Sequence, residues 1–278
     1  MNSLIVDEII KNALLEDGAY EDITTNAIIN GEEKCKVDLI AKESGILCGS
    51  QVFKRVFEIL GGADVEFLVL DGQNIKNGHI IAKIQGSTSI ILSGERIALN
   101  LLQRMSGVAT LTRQFVNEIS GSGAKLLDTR KTTPNLRILE RYAVKIGGGE
   151  NHRYNLSDGV LIKDNHIAAA GGIKNAINMV KANVSFVKKI EVETESLEDV
   201  REALDAKADI IMLDNMNLDE IREALKIIDG KVLTEVSGNV EINTIKNLAR
   251  TGVDYISTGF ITHSAKILDL SMKNLVRI

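Results

Sequence analysis

The chain has no tryptophan, one proline and two cysteines in 278 residues. One proline excludes a collagen-like helix and a proline-rich linker, so turns must use glycine, asparagine and aspartate. Cys35 and Cys48 are too few for a disulfide framework or a metal cluster, and we interpret them as buried thiols. No apolar stretch approaches the roughly 20 residues that span a bilayer, and Asp7 and Glu8 interrupt the segment where a signal peptide would be apolar. We therefore expect a cytoplasmic protein without a membrane partner.

Hydrophobic residues make up 44% of the chain and charged residues 26%, which is an ordinary globular composition. The net charge of −5, from 33 basic and 38 acidic residues, does not suit a protein that follows a nucleic-acid backbone. The positive charges are nevertheless concentrated between Arg130 and Lys163, where basic residues outnumber acidic ones. A basic segment in an acidic chain predicts an anionic small-molecule ligand.

The first part of the chain predicts an α+β domain. Residues 3–15 have helical spacing behind Ser3 as a potential N-cap. From Lys34 to Ile91 the pattern changes to short apolar runs typical of an antiparallel sheet, and the last of these runs, Ser89–Leu92, ends one residue later. Two helices are predicted over Glu95–Met105 and Thr110–Ile119, separated at Gly107. We place the domain boundary here, giving domains at residues 1–108 and 109–262, followed by a tail at residues 263–278 with a helix-like pattern.

The second domain alternates apolar strands with helical segments, which predicts parallel strands. Six strands are predicted. The number of residues between the polar end of one strand and that of the next is enough for one βα unit. Polar or small residues follow nearly every strand, as in barrel enzymes, whereas an open doubly wound sheet would concentrate its site at one switch point. The pattern therefore favours an incomplete barrel and leaves open whether it closes.

Cationic side chains follow two of these strands. Thr129, Arg130 and Lys131 end the first strand, Lys163 ends the second, and His152 and Arg153 follow a glycine-rich loop. Arginine can hold a carboxylate or phosphate through two parallel hydrogen bonds, and lysine adds a mobile point charge. Neither a P-loop nor a dinucleotide-binding glycine motif is present. A solvated turn, or a lysine at the barrel rim, remains the alternative interpretation.

Acidic and small residues end the other strands. Glu191 and Glu193 lie on one strand face and Asp214 ends the next strand, so carboxylates could bind Mg²⁺ there or simply pair with basic residues. The turns Ser237-Gly238-Asn239 and Ser257-Thr258-Gly259 offer backbone N–H groups to a phosphate, although plain turns would look similar. The histidines lack metal-ligand spacing. We expect His166 to be a cap or a supporting residue.

These segments resemble the quinolinate phosphoribosyltransferase family over nearly the whole chain. The similarity is carried by EDITT at residues 21–25, GERIALNLLQRMSGVAT, LLDTRKTTPNLR, YAVKIGGGENHRYNLSDGVLIKDNHI, IEVE, MLDN, VSGN and YISTG. One departure is Asn135, where the family usually has glycine. Because asparagine tolerates a left-handed backbone, we expect the turn to survive.

The resemblance implies an N-terminal α/β sandwich domain, a C-terminal incomplete TIM-like α/β barrel and a tail that returns to the first domain. It implies the reaction of quinolinate with phosphoribosyl pyrophosphate and Mg²⁺ to give nicotinate mononucleotide, pyrophosphate and CO₂. It also implies at least a homodimer. The residue roles it implies are these: Arg130, His152, Arg153 and Lys163 hold the carboxylates, Arg96 acts across the dimer interface, Lys131 binds the donor with Thr129 beside it, Glu193 and Asp214 bind Mg²⁺, and the turns Ser237–Asn239 and Ser257–Gly259 bind the 5′-phosphate.

Three alternatives remain at this point. A paralogue of the same fold could act on another anionic substrate, although the full cationic set argues against it. A Schiff-base aldolase could use Lys163, but it would need a desolvated lysine. A non-catalytic module for phosphorylated ligands would not need the acidic residues.

Overall fold

The structure is a computed structural model that describes residues 1–29 and 33–278. The α-helices, in chain order, are α1 (Ser3–Glu16), α2 (Ile23–Ile28), α3 (Ser50–Leu60), α4 (Thr88–Glu118), α5 (Arg137–Gly147), α6 (Asp164–Ala170), α7 (Ile173–Asn183), α8 (Leu197–Asp205), α9 (Leu218–Ile228), α10 (Ile245–Ala249) and α11 (Phe260–His263). The strands are β1 (Lys34–Ala41), β2 (Gly45–Ile46), β3 (Ala63–Phe67), β4 (Asn74–Ile75), β5 (Ile80–Ser87), β6 (Lys125–Leu127), β7 (Val160–Ile162), β8 (Ile190–Thr194), β9 (Ile210–Asp214), β10 (Leu233–Ser237), β11 (Tyr255–Ser257) and β12 (Leu270–Arg277). None of the helices in these ranges is long and apolar enough to cross a membrane.

The chain folds into two compact units, each made of separate stretches. The first unit contains Met1–Arg113, Thr132–Gly148 and Ile261–Ile278, and the second contains Gln114–Lys131 and Gly149–Phe260. The cationic motifs predicted to form the site, at residues 129–131 and 152–163, belong to the second unit.

The first unit is built on a four-stranded antiparallel sheet with the order β12-β1-β5-β3. In β1, Cys35, Val37, Leu39 and Ala41 alternate toward the core, as expected for a half-buried strand. Helix α1 buries Val6, Ile10 and Leu14 at helical spacing, and its N-cap is Asn2, whose side chain accepts a hydrogen bond from the Leu4 amide at 3.1 Å. The prediction of Ser3 as the cap was therefore wrong by one residue.

Helix α4 corrects two predictions. It runs without interruption from residue 88 to 118, so the run Ser89–Leu92 is helical rather than a strand, and Gly107 does not end a helix. A Cβ atom at Gly107 would lie 2.0 Å from the backbone oxygen of Lys266. The glycine therefore allows the later segment to pass close to the helix, a requirement that local sequence does not show.

The end of the chain is a strand, which corrects the helix-like prediction for residues 263–278. Strand β12 pairs antiparallel with β1, so that Leu39 lies opposite Met272 and Ala41 opposite Leu270. Leu270 and Met272 are buried with a period of two, which is the strand period. The apolar spacing in this short segment fits either period, and the unpaired edge of β1 decides between them.

The second unit contains the predicted parallel strands, in the order β6-β11-β10-β9-β8-β7. Strands β6 and β7 are the two ends of this order, and Leu127 of β6 also forms a parallel bridge to Glu150. The six-stranded incomplete barrel is thus confirmed. Its inward-facing residues alternate along each strand, so the last inward residue of each strand lies at the carboxyl end of the sheet.

Candidate active site

A cavity of about 580 Å³ lies at the carboxyl ends of the parallel strands. Residues from the ends of β6 to β11 and from the loops after them form its wall. Its lining residues are Thr129, Arg130, Lys131, His152, Arg153, Leu161, Lys163, Asp164, Glu193, Glu195, Met212, Asp214, Asn215, Glu235, Ser237, Gly238, Asn239 and Ser257. Most of the residues predicted from the sequence are therefore brought together in one place, as a barrel site requires.

Arg130, Arg153 and Lys163, which are separate in sequence, line this cavity together. The Arg153 guanidinium donates a hydrogen bond to the Gly159 carbonyl at 2.9 Å, which fixes its direction. Burial, together with the charge of Arg130, lowers the pKa of Arg153 below its usual value. Two guanidinium groups that destabilise one another in this way favour a bound anion of high charge.

The loop that carries Arg153 is attached to the barrel through the buried Asp128. This carboxylate accepts hydrogen bonds from the Asn151 side-chain amide at 2.6 Å and from the His152 backbone N–H at 2.8 Å. Asp128 is fully buried at the end of β6. Asp128, which was not among the predicted site residues, therefore holds the glycine-rich loop in position.

Glu193 and Asp214 extend into the cavity from the neighbouring parallel strands β8 and β9. One Glu193 oxygen contacts the Lys163 ammonium group in a close ion pair. Burial raises the pKa of Glu193, the ion pair with Lys163 opposes this, and the negative charge of Asp214 raises it further. The two carboxylates are therefore close enough to repel one another, and a divalent cation between them would relieve that repulsion.

His152 faces two buried glutamates, Glu191 and Glu235. The Nε2 atom lies 3.0 Å from Glu191 Oε2 and 3.5 Å from Glu235 Oε2. Burial lowers the pKa of His152, but the two acidic side chains more than offset this and the net shift is upward. Burial and the charge of Glu191 raise the pKa of Glu235 to about 8.

Glu235 was not predicted as a site residue. It lies at position four of the VLTEVSGN segment with its side chain 3% exposed, and it lines the cavity. The available signal was the two-residue period of the strand, since Glu235 and the predicted Ser237 share one face.

The turn after β10 passes close to Asn215 and has left-handed backbone at two residues. Gly238 has φ 93° and Asn239 has φ 49°, and a Cβ atom at Gly238 would lie 2.2 Å from Asn215 Oδ1. Ser257 also lines the cavity, whereas Thr258 and Gly259 are buried and are not among the lining residues. The Thr258 hydroxyl donates a hydrogen bond to the Val240 carbonyl at 3.1 Å.

Three further predicted residues have definite places. Arg96 lies on an exposed face of α4, in the first unit. His166 caps α6, because its Nδ1 atom accepts a hydrogen bond from the Lys163 backbone N–H at 3.0 Å, which agrees with its predicted capping role. Asn135 has φ 67°, so the left-handed turn that we expected there is present.

A second cavity of about 580 Å³ lies beside β7 and is mainly apolar. Leu156, Met179 and Val184 contribute to its lining. Because an anionic ligand needs charged or polar partners, the cavity at the strand ends is the better candidate for the active site.

The comparisons with known proteins agree with this geometry. The C-terminal domain model of quinolinate phosphoribosyl transferase matches residues 108–273, and the N-terminal domain model matches residues 22–106. A probable nicotinate-nucleotide pyrophosphorylase [carboxylating] from Bacillus subtilis is 43% identical, covering 98% of this chain and 94% of the relative. A protein of the same description from Methanocaldococcus jannaschii is 46% identical, covering 95% of each chain. The crystal structure of NadC from Streptococcus pyogenes superposes with a TM-score of 0.96 at 45% identity, covering 100% of this chain and 99% of that one.

Proposed function

Because the chain belongs to the quinolinate phosphoribosyl transferase family, we propose that it transfers a phosphoribosyl group from phosphoribosyl pyrophosphate to quinolinate with loss of CO₂. The products are nicotinate mononucleotide, pyrophosphate and CO₂, and the reaction serves NAD synthesis. The observation that carries the proposal is the convergence of Arg130, Arg153 and Lys163 in one cavity that also holds the carboxylates of Glu193 and Asp214. A dianionic pyridine and a magnesium-bound pyrophosphate need these two kinds of partner.

The cationic side of the cavity binds the two adjacent carboxylates of quinolinate. Arg130 and Arg153 supply planar guanidinium groups, each able to hold a carboxylate through two parallel hydrogen bonds. Lys163 adds an ammonium group just after β7. Burial and then the charge of Arg130 lower the pKa of Arg153, and a bound dianion offsets both effects by stabilising the charged form of that side chain.

Glu193 and Asp214 fit a magnesium site. They are hard oxygen donors on adjacent strands whose negative charges repel one another in the protein alone. Such a pair, with water and pyrophosphate oxygens, meets the preference of Mg²⁺ for few protein ligands. When bound, Mg²⁺ neutralises charge on the departing pyrophosphate.

The phosphoribosyl donor is bound by Lys131 and by the turns after β10 and β11. Lys131 lies next to Arg130 and lines the cavity with Thr129. Gly238 and Asn239 line the cavity in a turn of left-handed backbone, and their backbone N–H groups can donate to the 5′-phosphate. The Ser257 end of β11 is the second phosphate contact, and we assign Thr258 and Gly259 to the shaping of that turn.

In the reaction, the pyridine nitrogen attacks C1 of the ribose, and the bond from C1 to the pyrophosphate oxygen breaks with its electron pair. Arg130, Arg153 and Lys163 orient the ring, and Lys131 takes up charge on the leaving group. The ribosylated nitrogen is positive, so it stabilises the electron pair left on C2 when CO₂ departs, and C2 then accepts a proton from water. Decarboxylation therefore follows transfer, and no covalent enzyme intermediate is needed.

The direct test is to mix the protein with quinolinate, phosphoribosyl pyrophosphate and Mg²⁺ and to measure nucleotide, pyrophosphate and CO₂ together. We expect the three products in equal amounts. Release of CO₂ without pyrophosphate, or no reaction on quinolinate by correctly folded protein, would refute the proposal. Borohydride trapping of a carbonyl substrate on Lys163 would instead indicate a Schiff-base enzyme.

We further propose a cytoplasmic homodimer in which Arg96 of one subunit completes the partner's site, with no nucleic-acid or membrane partner. The exposed position of Arg96 on α4 supports this assignment, because an arginine at a subunit interface must be accessible in the single chain. Cys35 and Cys48 are both free and buried, which suits a reducing compartment. Sedimentation analysis tests the homodimer, and cell fractionation tests the cytoplasmic location.

A further inference from the structure

The proposed function leaves two buried acidic residues, Glu191 and Glu235, without a role. Their side chains are 5% and 3% exposed, and they project from β8 and β10. Among the described residues, Oε1 of each has no hydrogen-bond partner. Burying carboxylates in this way is expensive and in general does not stabilise a fold, so the pair is better explained by the site than by folding.

Both acidic side chains lie against the same group, the imidazole ring of His152. The Nε2 atom of His152 lies against Glu191 Oε2 at 3.0 Å, with Glu235 Oε2 at 3.5 Å. On the other ring edge, Nδ1 accepts a hydrogen bond from the Arg153 backbone N–H at 2.7 Å. Both ring nitrogens therefore contact protein groups, and the ring joins the two acidic side chains to the backbone of Arg153.

Arg153 is consequently held both at its backbone and at its side chain. Its backbone N–H is bound to the His152 ring, the preceding peptide N–H is bound to Asp128 at 2.8 Å, and its guanidinium is bound to the Gly159 carbonyl at 2.9 Å. The segment lies in a glycine-rich loop that has little regular structure of its own. Such a loop needs supporting contacts if it is to present a guanidinium group with the accuracy that bidentate binding requires.

From this geometry we infer that Glu191 and Glu235 are positioning residues for the dicarboxylate substrate, acting through the His152 ring on Arg153. His152 then serves as the group that connects the two glutamates to Arg153. The inference rests on the proposed function, because it names the part of that site which fixes one of its substrate-binding arginines.

The sign of the effect on binding tests the inference. The double variant Glu191→Gln/Glu235→Gln removes negative charge beside a site for a dianion, so a purely electrostatic role predicts tighter quinolinate binding. A positioning role predicts about tenfold weaker binding, the usual size of a lost supporting contact. Isothermal titration calorimetry with quinolinate measures this directly. The matched control Glu198→Gln/Glu223→Gln makes the same chemical change at two helix acids outside the cavity lining and should leave the quinolinate affinity unchanged.

A double-mutant cycle shows whether the effect passes through Arg153. Adding the two glutamine substitutions to Arg153→Ala should weaken quinolinate binding little beyond Arg153→Ala alone, whereas adding them to Lys163→Ala should give the full tenfold loss. Equal losses in both backgrounds would overturn the inference. If the double glutamine variant does not fold, His152→Gln carries the same cycle.

Two other outcomes would also overturn it. Tighter or unchanged quinolinate binding in a correctly folded variant would remove the positioning role. The ligand atoms of His152, Glu191 and Glu235 lie within 4.8 Å of one another, so a stoichiometric transition metal in the purified wild-type protein that is lost from the variant would identify a metal site instead. The wild-type product assay is independent of these results, so a failure here leaves the proposed reaction standing.

Discussion

Substituting Glu193 with glutamine should strengthen quinolinate binding in the absence of metal, although Glu193 is proposed as a magnesium ligand. In the protein alone, a Glu193 oxygen forms a close ion pair with the Lys163 ammonium group. Lys163 must share its charge between this partner and the substrate carboxylate. Glutamine keeps the shape of the side chain but removes the competing charge.

The magnitude follows from the exposure of the pair. The Lys163 side chain is 44% exposed and that of Glu193 is 14% exposed, so the ion pair is intermediate between a surface pair and a buried one. Such a pair contributes about 1 kcal/mol once solvent screening is allowed for. Its loss should lower the quinolinate dissociation constant about fivefold, because about 1.4 kcal/mol corresponds to a factor of ten.

The assay is calorimetric titration with quinolinate in buffer containing a chelator. Asp214→Asn is the matched control, because it removes a nearby negative charge without touching Lys163, and we expect a smaller gain in affinity from it. Combining Glu193→Gln with Lys163→Ala should abolish the gain. If Glu193→Gln binds quinolinate no more tightly than Asp214→Asn does, Glu193 and the substrate carboxylate do not compete for Lys163.

Four other expectations concern separate parts of the molecule. Arg130→Ala should cost about 2–5 kcal/mol in transition-state binding, measured from kcat/KM for quinolinate, and near-wild-type turnover would remove Arg130 from the site. Mixing inactive Arg96→Ala with inactive Lys163→Ala should restore part of the activity through subunit exchange, and no recovery despite demonstrated exchange would indicate sites built within one chain. Gly107→Ala should lower the free energy of unfolding by about 1–3 kcal/mol, because the added Cβ would meet a backbone oxygen at 2.0 Å, and unchanged urea denaturation would contradict this close packing. Burial and the charge of Glu191 raise the pKa of Glu235 to about 8, so the folded state binds more protons than the unfolded state between about pH 4.5 and 8. The free energy of unfolding of the wild type, measured by urea denaturation, should therefore fall as the pH rises through that interval, and Glu235→Gln should flatten this decrease. The same pH dependence in the variant and the wild type would show that Glu235 is ionised there.

The sequence predicted the second unit well because its information is local and repeated. Each parallel strand is a short apolar run followed by a polar end, and the fold brings those ends to one edge of the sheet whatever the length of the helices between them. This is why Arg130, Lys163 and Asp214, all at strand ends, could be assigned to one cavity from their positions in the sequence. Glu235 was missed because it lies two residues inside its strand, where an apolar residue is the usual occupant.

The errors in the first unit come from contacts between distant parts of the chain. Gly107 looks like a helix end when read locally, and its true reason is a backbone segment that packs against α4 from residue 266. Residues 270–277 fit either period, and they form a strand because β1 offers an edge. No local pattern contains either partner, so these features depend on the tertiary structure.

The pairing of β1 with β12 also determines when the first unit can finish folding. Residue 39 lies opposite residue 272, and the strands of the parallel sheet are all encoded between them. During synthesis, the side of β1 that pairs with β12 has no partner until the ribosome has made all the strands of the barrel. A chain truncated before residue 270 would contain the complete barrel sequence but would lack β12. The exposed edge of β1 could then pair with strands of other molecules, and we expect aggregation.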